Sequence, residues 1–303
     1  MIKDVVEAYH ILRKKDLRIL RIIEAGHKRH EFVPQELVER WARYRREEVA
    51  DSIRRLHYLG LLRRNRAAYL GWKITAWGYD VLAIHTLRAQ RKVVRLSPTP
   101  IGVGKESVVY AGETPSGFKV AVKFHRGGVS AFRYEKAFRR IVKKFEHLQE
   151  VYETRLAAFA EFFALQKVFE EGGNVPEPIA HNRHVVVMAY IDGVELYKFQ
   201  GDVKKIAEDV LNTLKTALRL GIIHGDLSPY NIIASTRGYV IDWPQWMPVG
   251  YDNWEQYLKR DIDNVARYFA KRGVELGWEE LVNEARRGEI GRVFIDELKK
   301  QLT

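Results

Sequence analysis

The chain contains no cysteine and only three methionines in 303 residues. Disulfide staples, thiolate zinc sites and cysteine nucleophiles are therefore excluded. Long apolar runs are also missing, since a stretch such as residues 185–191 is far too short to cross a bilayer. No basic-then-apolar leader opens the sequence, so a cytoplasmic protein is expected. Repeats and low-complexity tracts are absent. Proline is sparse at nine residues, and Ser97-Pro98-Thr99-Pro100 forms a breaker cluster. It places a boundary near residues 91–100. What is present, 46% hydrophobic and 12% aromatic residues, fills two cores. Two domains are expected, 1–91 and 92–303, the second with a smaller lobe over about 92–188 and a larger one over about 192–303. Abundant charge without cysteine suits a thermophile.

The segment richest in chemistry is His224-Gly225-Asp226-Leu227-Ser228-Pro229-Tyr230-Asn231, followed by Ile241-Asp242-Trp243. That spacing can assemble a phosphoryl-transfer site, with Asp226 orienting an attacking hydroxyl and Asn231 and Asp242 holding metal. The plainer reading is a turn, because Asp, Ser, Pro and Asn favour turns. Its frame decides for catalysis. Ile232-Ile233, a turn at Arg237-Gly238, and Tyr239-Val240-Ile241 read as a hairpin, which carries Asn231 and Asp242 to the same end.

Such a site needs a phosphate-covering loop and a strand lysine upstream. Ile101-Gly102-Val103-Gly104-Lys105-Glu106-Ser107-Val108 puts two glycines between apolar runs, where backbone amides can approach an anion. A Walker loop is excluded by the residue order. Downstream, residues 118–124 alternate as a strand carrying Lys123. Glu161, among apolar residues of the helical stretch 155–167, is the natural partner for that lysine.

Acidic charge is scarce in the first third. Residues 1–95 hold 22 Lys and Arg against 11 Asp and Glu, which is +11 of the whole-chain +12. A polyanion partner is expected, the alternative being a solvated basic face. Here the pattern predicts a helix around Leu17–Ile23, a short second helix beginning at Val33-Pro34, and a third over Glu47–Leu59 stopped by Gly60. Two short strands, 61–66 and 68–74, then form a basic hairpin. Three helices and a basic hairpin make a winged helix-turn-helix. Arg43, Arg45, Arg46, Arg54, Arg55, Arg63, Arg64 and Arg66 are the candidate nucleic-acid contacts, since arginine pairs phosphate bidentately.

On Gly-x-Gly-Lys-Glu-Ser at 102–107, His-Gly-Asp-Leu-Ser-x-x-Asn at 224–231 and Ile-Asp at 241–242, the chain resembles the RIO family of atypical protein kinases. A winged helix ahead of such a domain is similar to the Rio2 subfamily. The resemblance implies an α+β fold, an N-terminal winged helix-turn-helix followed by a bilobal, truncated kinase-like domain. It implies ATP and Mg²⁺ (or Mn²⁺) as cofactors, with Gly102, Gly104, Lys105, Glu106, Ser107, Val108, Lys123, Glu161 and Ser228 around the nucleotide. Met188 would be the gatekeeper, and the backbones of Ala189 and Ile191 would bind adenine. Ser130 is a candidate phosphorylation site, and Asp242 lies where it could itself take the phosphate.

Departures from ordinary kinases are informative. Gly225 stands where they carry the arginine that receives an activation-loop phosphate, and no Ala-Pro-Glu follows Asp242. Control by loop phosphorylation and a peptide groove are not expected. The resemblance further implies a monomer acting in small ribosomal subunit maturation, with ribosomal RNA, the pre-ribosomal particle and a protein substrate as partners and no membrane. Two alternatives stand beside it. One is a small-molecule phosphotransferase of the aminoglycoside or choline kinase type, and the other a winged-helix regulator with a kinase-like sensor.

Overall fold

The computed structural model describes residues 5–65, 69–127, 149–251 and 253–302. Arg66 and Ser130 lie outside them. Among the described residues two compact units form: one takes those up to 127 with 149–155 and 182–185, the other 156–181 and those from 186 onward.

The first unit opens with α1 (Val5–His10), α2 (Lys14–Gly26), β1 (Val33–Pro34), α3 (Gln35–Ala42), α4 (Arg46–Tyr58), β2 (Leu62–Arg64), β3 (Gly71–Ile74) and α5 (Ala76–Ala89). Helices α2 and α4 bury the expected stripes, Leu17, Leu20 and Ile23 on one and Val49, Ile53 and Leu56 on the other. Gly60, at φ 72°, ends α4: its amide reaches the His57 carbonyl and the Leu61 amide reaches Leu56. This paired closure is the Schellman arrangement, which favours glycine. The strands form a sheet in the order β1-β3-β2, with Val33 opposite Trp72 and Leu62 opposite Ile74.

Two differences from the sequence reading stand out here. Val33-Pro34 is an edge strand and does not open the second helix, which starts at Gln35 because Pro34 keeps an extended ψ of 136°. Helix α5 was not anticipated. Thr75 caps it by accepting from the Gly78 amide, and Gly78 lies so close to the wing that an added Cβ would meet the Leu61 carbonyl oxygen at 2.5 Å.

The same unit continues through β4 (Arg95–Leu96), β5 (Gly102–Val103), β6 (Ser107–Glu113) and β7 (Lys119–His125). Strands β4, β5 and β7 all pair antiparallel with β6. Two carboxylates from the helices are held by basic residues of later segments. Glu24 accepts from Arg183 (2.7 and 2.8 Å) and Arg155 (2.8 Å), while fully buried Asp80 accepts from Arg126. Burial opposes ionisation of Glu24, yet both arginines together hold its carboxyl below the usual range.

The remaining elements are α6 (Gln149–Glu170), β8 (Pro178–Asn182), β9 (Val185–Ala189), β10 (Val194–Glu195), α7 (Lys204–Arg219), β11 (Ile222–Ile223), β12 (Ile232–Ala234), β13 (Gly238–Val240), β14 (Met247–Pro248), α8 (Trp254–Ala270), α9 (Leu281–Glu284) and α10 (Ile290–Leu302). In the second unit Trp246 stacks on Phe163 at 5.6 Å, and its indole donates to the Ala160 carbonyl. Phe294 of α10 packs edge-on against Trp246. The tail, whose alternation of apolar and charged residues predicts an amphipathic helix over 278–302, is not one helix. It breaks at 285–289, where Arg286 donates its amide to Leu218 and Gly288 follows. Among the described residues no helix is long and apolar enough to cross a membrane.

Candidate active site

The predicted hairpin forms, with Ile232 opposite Val240 and Ala234 opposite Gly238. Its turn is Ser235-Thr236-Arg237, one residue earlier than expected, because Gly238 pairs as a strand residue. Beyond the last pair the Ile241 amide donates to the Asn231 carbonyl at 2.9 Å. Asn231 and Asp242 therefore emerge from the same end, as the spacing demanded. The Asn231 side-chain amide nitrogen donates to the Asp226 carbonyl at 2.8 Å, a bond that leaves Oδ1 as the acceptor of that side chain. Asp242 sits at φ 66°, a left-handed conformation that aspartate tolerates better than most residues.

The loop carrying Asp226 is held from beneath by α8. Asp261, buried, accepts from the Gly225 amide at 2.6 Å and the Leu227 amide at 3.0 Å, and Asn264 donates to the Leu227 carbonyl at 3.0 Å. Burial pushes the Asp261 carboxyl up, against the pull of nearby His224 and of the two amides. The RIO resemblance of residues 258–265 implies such support for the catalytic loop, with Asp261 in a structural role. Arg260 donates to the Gly225 carbonyl, and its Nη2 lies 3.8 Å from Asp226 Oδ1. His224 contacts the Ile241 carbonyl through Nε2 (2.9 Å) and the Asp226 amide through Nδ1 (3.3 Å), which together require the Nε2–H tautomer. Sequence reasoning assigned no individual role to His224, Arg260 or Asn264. A signal existed in Asp261, which falls within the apolar stripe of Leu258, Ile262, Val265 and Phe269 that α8 buries.

In the first unit, β5 and β6 form the expected glycine hairpin, with Gly102 opposite Val109 and the Gly104 amide bonded to the Ser107 carbonyl. Neither glycine has a positive φ, and a Cβ at Gly102 or Gly104 would meet no atom closer than 3.6 Å. The chain's own fold does not require glycine there. What the missing side chains leave is open approach to the backbone, the property a phosphate cradle needs. Lys105 and Glu106 are exposed at the tip, and Ser107 and Val108 are half-buried on β6. Val109 pairs with Lys123, whose side chain is only 7% exposed. Lys123 thus reaches the strand beside the glycine hairpin.

In the second unit Glu161 is buried in α6. Met188 and Ala189 end β9, and the Ala189 amide donates to the Glu177 carbonyl at 2.8 Å. That engagement narrows the adenine expectation for Ala189 to its carbonyl. Ser228 opens a 3₁₀ turn, Pro229–Asn231, which brings Asn231 back over the loop.

Of the candidate arginines, Arg43, Arg45, Arg46, Arg54, Arg63 and Arg64 are exposed. Arg43 ends α3 at φ 56° and Arg45 opens α4, its amide bonded to Glu48. Arg55 turns inward, 3.7 Å from buried Asp16. A cavity of about 300 Å³ in the first unit, lined by Arg63, Lys73, Tyr79, Arg126 and His184 among others, holds none of the residues expected at ATP or metal.

The RIO domain family matches residues 108–281, and the Rio2 N-terminal family matches residues 9–91. The chain belongs to the RIO kinase family, in its Rio2 branch. It is 34% identical over 251 residues to the RIO-type serine/threonine-protein kinase Rio2 of Methanocaldococcus jannaschii, covering 80% of this chain and 91% of that one. Similarity to the Dictyostelium discoideum serine/threonine-protein kinase rio2 is 34% over 270 residues, 88% of this chain and 52% of the relative. Among solved structures, the Rio2 kinase of Chaetomium thermophilum in an ADP/Mg²⁺-phosphoaspartate complex matches with a TM-score of 0.79 at 28% identity, over 98% of this chain and 99% of that one.

Proposed function

We propose that the chain is an ATP-dependent serine/threonine kinase and ATPase acting in small ribosomal subunit maturation. The observation that carries the catalytic part is the hairpin that brings Asn231 and Asp242 to one end, next to a loop whose Asp226 is exposed above the α8 clamp. An amide oxygen and a carboxylate are hard donors. They suit Mg²⁺, or Mn²⁺, which keeps most of its shell for water and phosphate. When bound, the cation neutralises charge on the phosphates.

The chain's own residues do the rest. Gly102 and Gly104 offer backbone amides to the phosphates, with Lys105, Glu106, Ser107 and Val108 lining the same hairpin. Lys123 pairs with phosphate oxygens. Met188 bounds the base, which donates to the Ala189 carbonyl and accepts from the Ile191 amide. Ser228 lies beside Asp226, which accepts the proton of the attacking hydroxyl. Lys123→Ala or Asp242→Ala should lower ATP turnover by on the order of 10² or more. Near-normal turnover in both would end this reading.

Asp242 also has a second role in this proposal. Its carboxylate oxygen attacks the γ-phosphorus, the bond to the bridging oxygen breaks, ADP leaves, and water later hydrolyses the acyl-phosphate. The Chaetomium thermophilum Rio2 complex with phosphoaspartate supports this. Radiolabel removed by hydroxylamine is expected. Label that resists hydroxylamine and disappears in Ser130→Ala would locate the phosphate on serine instead.

The basic winged helix is the RNA contact in this reading, and the pre-ribosomal particle with a protein substrate is the setting, reached by a cytoplasmic monomer. Support comes from the +11 charge of residues 1–95. Cosedimentation with small-subunit particles, with and without ATP, tests it.

A further inference from the structure

The kinase reading leaves position 225 without the arginine that ordinary kinases carry beside their catalytic aspartate. Gly225, at φ 82°, has no side chain with which to steady Asp226. The peptides on either side of Asp226 are nevertheless held at four backbone atoms, all from α8. Asp261 takes the Gly225 and Leu227 amides, Asn264 donates to the Leu227 carbonyl, and Arg260 donates to the Gly225 carbonyl. Asp226 alone projects from this clamped segment. It faces Arg260, whose Nη2 lies 3.8 Å from Oδ1.

The guanidinium is itself fixed. It lies over the Tyr257 ring at 5.1 Å from the centroid, one helical turn earlier, and 3.8 Å from Asp261 Oδ1. A planar fork held by a ring on one side and a carbonyl on the other is preorganised in a way a solvated surface lysine is not. Asp226 and Arg260 are both about half exposed, at 65% and 46%, so solvent screens their pairing and it adds little to stability. Its effect belongs to geometry: it limits where the exposed carboxylate points.

We propose that Arg260 is a positioning residue for Asp226, delivering from α8 the guanidinium that position 225 lacks. This rests on the kinase reading for the role of Asp226. Because the charge comes from a helix and needs no phosphate, the carboxylate is aligned at all times, so loop phosphorylation is not needed to align it.

The experiment compares the wild-type chain with Arg260→Gln and Arg260→Lys, each also in an Asp226→Asn background. ATP hydrolysis should show kcat falling about tenfold in Arg260→Gln, with KM for ATP within about twofold, because orientation and not nucleotide binding is lost. Arg260→Lys should fall less. In the Asp226→Asn background neither change should lower the residual rate further. Hydrogen–deuterium exchange of the nucleotide-free chain gives an independent readout: amides of Gly225–Leu227 should exchange at least about fivefold faster in Arg260→Gln, with α7 unchanged. Wild-type exchange at Gly225–Leu227, or an equal fractional loss of rate in both backgrounds, overturns the proposal. If Arg260→Gln does not fold, the same two comparisons on Arg260→Lys decide it. A wild-type chain without ATP turnover would defeat the kinase reading, while exchange still decides whether Arg260 holds the loop.

Discussion

Both terminal nitrogens of Arg126 donate to the carboxylate of Asp80, each at 2.6 Å, and Asp80 has no exposed surface. The pair ties α5 of the winged helix to the residue that follows β7, the strand bearing Lys123. Breaking one partner of such a pair leaves the other uncompensated. Asp80→Asn should therefore destabilise the chain by about 3 kcal/mol, and Asp80→Asn with Arg126→Met by less than the sum of the single changes. Urea unfolding of the four proteins measures both.

His184 also meets Asp80, with Nε2 to Oδ1 at 2.6 Å. Burial pushes the His184 pKa down, outweighing the opposing pull of Asp80, so the ring is neutral and donates. A histidine with a depressed folded pKa binds its proton more readily when unfolded. Stability should therefore be full above the unfolded value of about 6.5 and fall as pH drops below it. Melting temperatures between pH 8 and 5 should show this slope, and His184→Gln should flatten it.

Glu24 gives a second, lower window. Its folded pKa is depressed by Arg183 and Arg155, so its contribution is present above the unfolded value of about 4.3 and lost as pH falls through the folded one. Glu24→Gln should cost about 2–3 kcal/mol at pH 7 and progressively less as pH falls below about 4.3, by the same unfolding measurement.

Asp261→Asn keeps the size of the side chain but can accept only one of the two loop amides without clash. Turnover should fall by on the order of 10² while ADP affinity stays near wild type, because the loop and not the glycine hairpin is disturbed. Calorimetric titration with Mg²⁺-ADP beside a turnover assay checks the split. Equal loss of both would mean that Asp261 supports the whole nucleotide site.

RNA affinity should drop steeply with salt, since phosphate contacts release counterions. Changing Arg54, Arg63 and Arg64 together to alanine should reduce the log–log slope by about 2–3. Arg55→Ala should chiefly lower stability, because its guanidinium already faces Asp16. Fluorescence anisotropy from 50 to 300 mM salt distinguishes the two classes.

Short-range spacing made the catalytic hairpin legible. Asn231, Asp242 and the apolar pairs between them are close in sequence, and pairing follows from alternation. The α2 and α4 stripes were readable for the same reason. Helix α5 was not, because Ala76–Ala89 buries residues nearly all round and shows no polar face to set a period. Val33-Pro34 misled because proline is at home both at a helix start and on a sheet edge. The tail looked continuous from the apolar and charged residues on either side of 285–289, where the Arg286 amide instead donates to the Leu218 carbonyl. What the sequence withheld about the site was long-range: the contacts that Arg260 and Asn264 make with a loop more than thirty residues earlier.

That separation has a consequence for synthesis. The Gly225 amide finds its acceptor only when Asp261, 36 residues later, has been added and α8 has docked. A chain emerging from the ribosome would carry Asp226, Asn231 and Asp242 well before their loop has its shape. Nascent chains should therefore be unable to hydrolyse ATP until α8 is out, so that activity begins only once most of the second unit exists.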